Sequence, residues 1–192
     1  MLDARTPALD ALVRQAQREC GSPDAMGPTA LAGLLEKLVS APQLWSPSVR
    51  HEPTSRWYGS LFRDDVVDLW LLTWQQDNST DLHDHGGSSG AFRVVSGALS
   101  EFRPALGNDG DVVLRRTVRR PGATVSFGPR LVHDVHNVDA VPAVSLHVYS
   151  PPLSSMTYYD VAGRGLSARH TEPVEVRDAG EGIPERAVTV EV

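Results

Sequence analysis

From Trp45 onward the chain breaks into short runs rich in Val, Leu, Phe and Trp, separated by clusters of Gly, Pro, Asn and Asp about every ten residues. No run in this region carries a helical period, and strands of that length and spacing pack as a sandwich or a small barrel. The spans expected to be strands are Arg56–Leu61, Val67–Trp74, His83–His85, Ala91–Ser96, Ala98–Phe102, Val112–Val118, Ala123–Phe127, Val132–Asn137 and Ala143–Tyr149. Gly97 is expected to turn a tight hairpin, and Pro104 to Gly110 to form a longer loop.

The region before Trp45 has a different texture. Thr6-Pro7 is an N-cap followed by proline at the first helical position, and Leu9, Leu12, Val13 and Ala16 recur at helical spacing. Gly21-Ser22-Pro23 stops that helix. A second helix is expected from about Pro28 to Val39, with Leu31, Leu34, Leu35 and Leu38 on one face, ended by Ala41-Pro42. Two short amphipathic helices cannot bury their own stripes, so they should dock on the strands. The expected organisation is a single domain: a helical segment at 1–44, a β-barrel at 45–165 and a polar extension at 166–192, in which Val188–Val192 is either a last edge strand or partly disordered.

Composition removes several function classes. The formal net charge of −6 argues against non-specific nucleic-acid binding. No run approaches the roughly 18 apolar residues of a membrane span. The opening Met1-Leu2-Asp3-Ala4-Arg5 lacks the pattern of a secretory leader, and the single cysteine, Cys20, allows no internal disulfide; both fit a reducing cytoplasm.

Chemistry concentrates in Leu82-His83-Asp84-His85-Gly86-Gly87. In extended backbone, positions i and i+2 share a face, so His83 and His85 can meet one metal ion. The alternative is a pair of surface histidines in a Gly/Ser loop. Two histidines seldom hold a catalytic metal alone. The best third ligand is His133, in the stretch Pro121-Gly122 to Gly128 and on to His133 and Asn137, where two turns flank a strand and bring the chain back. His136, three residues on, should face the other way, as an exposed residue near Asp134.

These two stretches resemble the paired motifs of the cupin superfamily, and more narrowly those of the cysteine dioxygenase family of thiol dioxygenases. No carboxylate occurs between Gly86 and Ala91, where many cupins place a glutamate ligand, and this too resembles the thiol dioxygenases. Ser145-Leu146-His147-Val148-Tyr149-Ser150-Pro151-Pro152 is similar to that family's strand facing the metal. The resemblance covers roughly Trp45 to Tyr159. It implies a cupin fold, a double-stranded β-helix or small antiparallel barrel with two N-terminal helices. It implies Fe(II) held by His83, His85 and His133, a small thiol and O2 as partners, and conversion of the thiol to a sulfinate. Three neutral imidazoles leave the iron its full double charge, which favours a thiolate beside it.

Ser145, His147 and Tyr149 alternate along one strand and so share a face. The resemblance assigns Tyr149 to orienting substrate or oxygen, with His147 and Ser145 fixing it; the alternative is a tyrosine that merely caps the core. Gly90 stands where animal members carry a cysteine that cross-links to the tyrosine, so no thioether can form here, and glycine at this place fits a bacterial source. A substrate carboxylate calls for an arginine. Arg56 is the candidate, with Tyr58 as a second donor; Arg63 and Arg93 are alternatives, and one register puts Gly59 at the arginine's place. Met156, Tyr158 and Tyr159 are expected to pack, and Trp70 and Trp74 to be core. The choice between cysteine, 3-mercaptopropionate and another thiol stays open, as does a non-catalytic metal-binding cupin. The expected assembly is a monomer or weak oligomer.

Overall fold

The computed structural model describes residues 6–22, 24–53 and 55–179. Helix α1 spans Pro7–Cys20, with the Thr6 hydroxyl accepting from Leu9 N at 3.2 Å and Gly21 closing it in the left-handed conformation at φ 70°. Helix α2 spans Pro28–Val39 and buries the Leu31, Leu34, Leu35 and Leu38 stripe.

Ten strands follow: β1 (Trp57–Arg63), β2 (Asp68–Trp74), β3 (Ser89–Ser96), β4 (Leu99–Leu106), β5 (Val112–Arg119), β6 (Val125–Phe127), β7 (Asp134–His136), β8 (Ala143–Ser150), β9 (Ser155–Ala162) and β10 (Gly165–Pro173). The first layer is an antiparallel sheet in the order β1-β2-β8-β3-β6. The second begins as β5-β4-β7 and continues through an irregular segment, residues 78–84, to the β9–β10 hairpin. His83 N donates to His133 O at 2.9 Å and His133 N returns the bond at 3.0 Å; on the other side Tyr159 N donates to Leu82 O at 2.8 Å. The architecture is mainly β, with antiparallel sheets and two N-terminal helices.

The pleat sorts the core. On β2, Leu69 and Leu71 turn towards the helices while Trp70 and Trp74 turn between the sheets. On β8, which is buried along its whole length, Leu146 and Val148 join the helix-side core, and Ala143 and Tyr149 join the inner one. Helix α2 lies over β3 and β8, so both helices dock on the outer face of the first sheet. No helix among the described residues is long and apolar enough to cross a membrane.

Four expectations change, the first being that the loop expected from Pro104 to Gly110 starts only after Leu106, where β4 ends. Gly97 makes no hairpin: β3 and β4 belong to different sheets, and the turn carries the chain from one layer to the other. At φ 72° Gly97 lies so close to Ala143 that an added Cβ would sit 2.8 Å from its Cα, which restricts this crossing to glycine. His83–His85 is not a strand but an isolated bridge at His83, with His133 on one side and Tyr158 on the other. The expected strands stop at Tyr149 and resume only at Val188, yet β9 and β10 form in between, β10 within the polar extension, and the chain then returns to pair Asp178 with Ser60 of β1. The edge strand expected at Val188–Val192 lies outside the described residues.

Leu35 is fully buried where α2 meets the sheet. Leu35→Ala should cost about 2–5 kcal/mol, read as a lowered denaturation midpoint at unchanged slope.

Candidate metal centre

His83 and His133 face each other across the reciprocal backbone bridge, and His85 projects two residues further on. Their ring centres form a nearly equilateral triangle, 5.0 Å for His83–His85, 4.9 Å for His83–His133 and 5.0 Å for His85–His133. One ring nitrogen from each lies within 4.8 Å of the others, and all three residues are buried.

Hydrogen bonds fix which nitrogens point inward. His83 Nδ1 sits 2.8 Å from the Asp81 carbonyl, which can only accept, so Nδ1 carries the proton and Nε2 is left with its lone pair. His133 Nδ1 lies 2.9 Å from Glu101 Oε1 and is protonated by the same logic. Among the described residues, His85 makes no well-formed hydrogen bond at either ring nitrogen, the Leu131 backbone interacting with it only weakly. Burial first, and the neighbouring His133 second, push His83 down to about 3; burial and the other imidazoles hold His85 well below its ordinary value. His83 and His85 are therefore neutral and offer lone pairs, the state metal binding requires.

Glu101, which sequence reasoning missed, anchors His133. It is fully buried on β4 and also accepts from Arg103 Nε at 2.8 Å and from Arg119 Nη2 at 2.6 Å. Burial alone would raise its carboxyl; the hydrogen bonds from His133, Arg103 and Arg119 outweigh that and hold it at about 2. Its only sequence signal is a carboxylate on the inward parity of Leu99, far from either histidine motif.

Opposite the cluster, β8 carries a polar relay through the inner core. Trp74 Nε1 donates to Ser145 Oγ at 2.9 Å, Ser145 Oγ lies 2.8 Å from His147 Nε2, and His147 Nδ1 lies 3.2 Å from the Tyr149 hydroxyl. The indole can only donate, so the serine accepts there, and satisfying the buried hydroxyl's own proton places it on His147 Nε2. That leaves the proton of neutral His147 on Nδ1, donated to the Tyr149 oxygen. The phenolic O–H is then free to donate into the cavity. Burial lowers His147 to about 3 and pushes the Tyr149 phenol up. Gly90 pairs with Tyr149, and a Cβ there would come within 2.5 Å of the Phe127 ring and 2.9 Å of the Tyr149 ring.

A cavity of about 330 Å³ lies between the imidazoles and this relay, bounded by His83, His133, His147 and Tyr149. Arg56 and Tyr58 line it; Arg63 and Arg93 do not. Arg63 is instead paired with Asp68 at 2.6 Å and Arg93 with Glu36. The Arg56 guanidinium carbon stands 5.1 Å from the Trp74 ring centre and 5.9 Å from that of Tyr58. Trp70 and Trp74 are buried, as core residues should be, but both also form cavity wall. Met156 and Tyr158, expected only to pack, reach the cavity because β9 pairs with the His83 segment. His136 is held by Asp134, apart from the cluster.

The family model for cysteine dioxygenase type I matches residues 24–162. A zebrafish (Danio rerio) cysteine dioxygenase type 1 is 27% identical over 150 residues, covering 71% of this chain and 72% of that protein. The rat (Rattus norvegicus) protein of the same name is 30% identical over 97 residues, and the match spans about half of each, 48%. Among solved structures, a protein of Thermus thermophilus aligns at 20% identity and a TM-score of 0.45 over 56% of this chain and 93% of its own.

The relay imposes a pH dependence on stability. Unfolded, His147 takes a proton below about pH 6.5; folded, it stays neutral down to about 3. Between those values the unfolded chain binds more protons, so stability is present above pH 6.5 and drains away as pH falls. Comparing acid unfolding of the wild type with His147→Gln isolates this group. The stability difference should shift by about 1.4 kcal/mol per pH unit across that window.

Proposed function

Because the chain belongs to the cysteine dioxygenase type I family, we propose that it is an iron(II)-dependent thiol dioxygenase, adding both atoms of O2 to the sulfur of a small thiol, most simply L-cysteine. The observation that carries this reading is the ligand set: three buried imidazoles, one ring nitrogen of each within 4.8 Å of the others, and no carboxylate in the group. Such a set fits a borderline divalent ion, and His85, which makes no well-formed hydrogen bond among the described residues, fits a ligand waiting for one. Iron(II) bound there supplies the oxygen chemistry.

The remaining work falls to this chain's own side chains. Neutral ligands leave the metal charge uncompensated, which favours the anionic thiolate over the thiol. Glu101 fixes His133 in the tautomer whose Nε2 faces the site, and the Asp81 carbonyl does the same for His83. Tyr149 presents its O–H to the cavity, where negative charge builds up on the reacting oxygens and on the sulfinate they become. Its raised pKa keeps that proton in place as a donor. Trp70, Leu72 and Trp74 keep the wall apolar and water out, and Arg56 with Tyr58 receives the substrate's far end. The balance is closed: one thiol and one O2 give one sulfinic acid, with no further reductant.

Iron-loaded protein should consume one O2 per sulfinate formed from a panel of small thiols; no uptake with any of them would overturn the assignment. His133→Ala should lose iron on dialysis, read by metal analysis. Tyr149→Phe should keep its iron and lose kcat by about 100-fold.

A further inference from the structure

Glu101 carries two guanidinium groups as well as an imidazole, and its two oxygens divide them. Oε2 accepts from Arg119, from Nε at 2.9 Å and from Nη2 at 2.6 Å. Oε1 accepts from His133 Nδ1 at 2.9 Å and from Arg103 Nε at 2.8 Å. Strand register sets this up. Across the β4–β5 ladder Glu101 stands opposite Thr117, and Leu99 opposite Arg119, so Arg119 reaches the carboxylate along a diagonal of one face. Arg103 lies two residues further along Glu101's own strand, on the same side.

This is more positive charge than the sheet needs. Arg115 stands directly across from Arg103 on that face, and like charges so placed cost a ladder stability. The three imidazoles are also backed unequally. His83 donates to the neutral Asp81 carbonyl, and His85 makes no well-formed hydrogen bond among the described residues; His133 donates to a carboxylate. The Phe92 and Phe127 rings, centred 6.0 and 5.7 Å from that of His133, pack near it but offer no acceptor that would choose between its nitrogens. That choice rests on Oε1, and the direction of Oε1 rests on what holds Oε2.

We infer that Arg119 is a positioning residue for the metal centre: by gripping Oε2 it turns Oε1 onto His133 Nδ1, and so sets how tightly the third imidazole holds a divalent ion. The last torsion of a glutamate is soft. His133 and Arg103 pull on one oxygen and leave the other without a fixed direction, so Arg119 is the group that removes this freedom. Its side chain is 26% exposed on the edge strand β5, and the contacts therefore run from the solvent side of the sheet, through a buried carboxylate, to a metal-facing imidazole. This role rests on the metal-binding half of the proposed function and is independent of thiol oxidation.

The test uses the full chain, with Co(II) as the probe and a competing chelator to read affinity. NMR of metal-free protein labelled at histidine follows the His133 ring N–H, and the denaturation midpoint reads any loss of fold separately. Arg119→Gln should weaken Co(II) about tenfold or more and broaden the His133 Nδ1–H signal by exchange with water. Arg119→Lys, which keeps the charge and one contact, should recover part of both. In a Glu101→Gln background, where the anchor is already weakened, adding Arg119→Gln should cost about twofold or less. An unchanged Co(II) affinity in Arg119→Gln overturns the role, and so does an equal loss with and without the Glu101 charge. Weaker Co(II) with the His133 signal unmoved also overturns it, since the loss would then come from the fold at large. The two readings fail separately. If Co(II) binding responds as expected and no thiol is oxidised, Arg119 stands without the dioxygenase. If thiols are oxidised while Arg119→Gln holds Co(II) as the wild type does, the dioxygenase stands without Arg119.

Discussion

The backbone exchange between His83 and His133 is the contact on which the rest depends. These reciprocal bonds, 2.9 and 3.0 Å, join residues fifty positions apart. They also let an irregular segment substitute for a strand, linking β7 to β9 and completing the second layer. Because the bridge is made by the histidines' own peptide groups, closing the layer and converging the imidazoles are one event. A separate loop carrying ligands would have to be ordered at its own entropic cost; here the sheet has already ordered it.

The interior between the layers is unusual in what it buries. Trp74, Ser145, His147 and Tyr149 place a line of polar atoms where an ordinary sandwich would put aliphatic side chains. Such a line is tolerable only when each link is satisfied, and the indole supplies the donor that sets its direction. The same low-polarity surroundings keep His83 and His147 uncharged. Core packing and site chemistry are therefore not separable on this face of β8, whereas the opposite face, Leu146 and Val148 against the helices, is packing alone.

Much of this was legible in the sequence because it follows from period-two alternation. That rule puts His83 beside His85, lines up Ser145, His147 and Tyr149, and sorts β2 between its two cores. Both helices were legible from caps and stripes. What was hidden depends on pairing between distant residues. Glu101 looks like any strand glutamate until β4 is laid against β7. Strands β9 and β10 expose most of their side chains, so their composition resembles a tail; hydrogen bonds to each other and to residues 82 and 84 make them strands. The turn at Gly97 has hairpin residues, but whether it joins neighbours or crosses layers is decided by Ala143 pressing against it.

Strand β1 is the rim of its sheet, and such a rim is a template for unwanted pairing with other chains. The return of residues 177–179 occupies the amide and carbonyl of Ser60. The stretch that helps wall the cavity therefore also acts as a guard against self-association, so damage to residues 177–179 would reach colloidal behaviour.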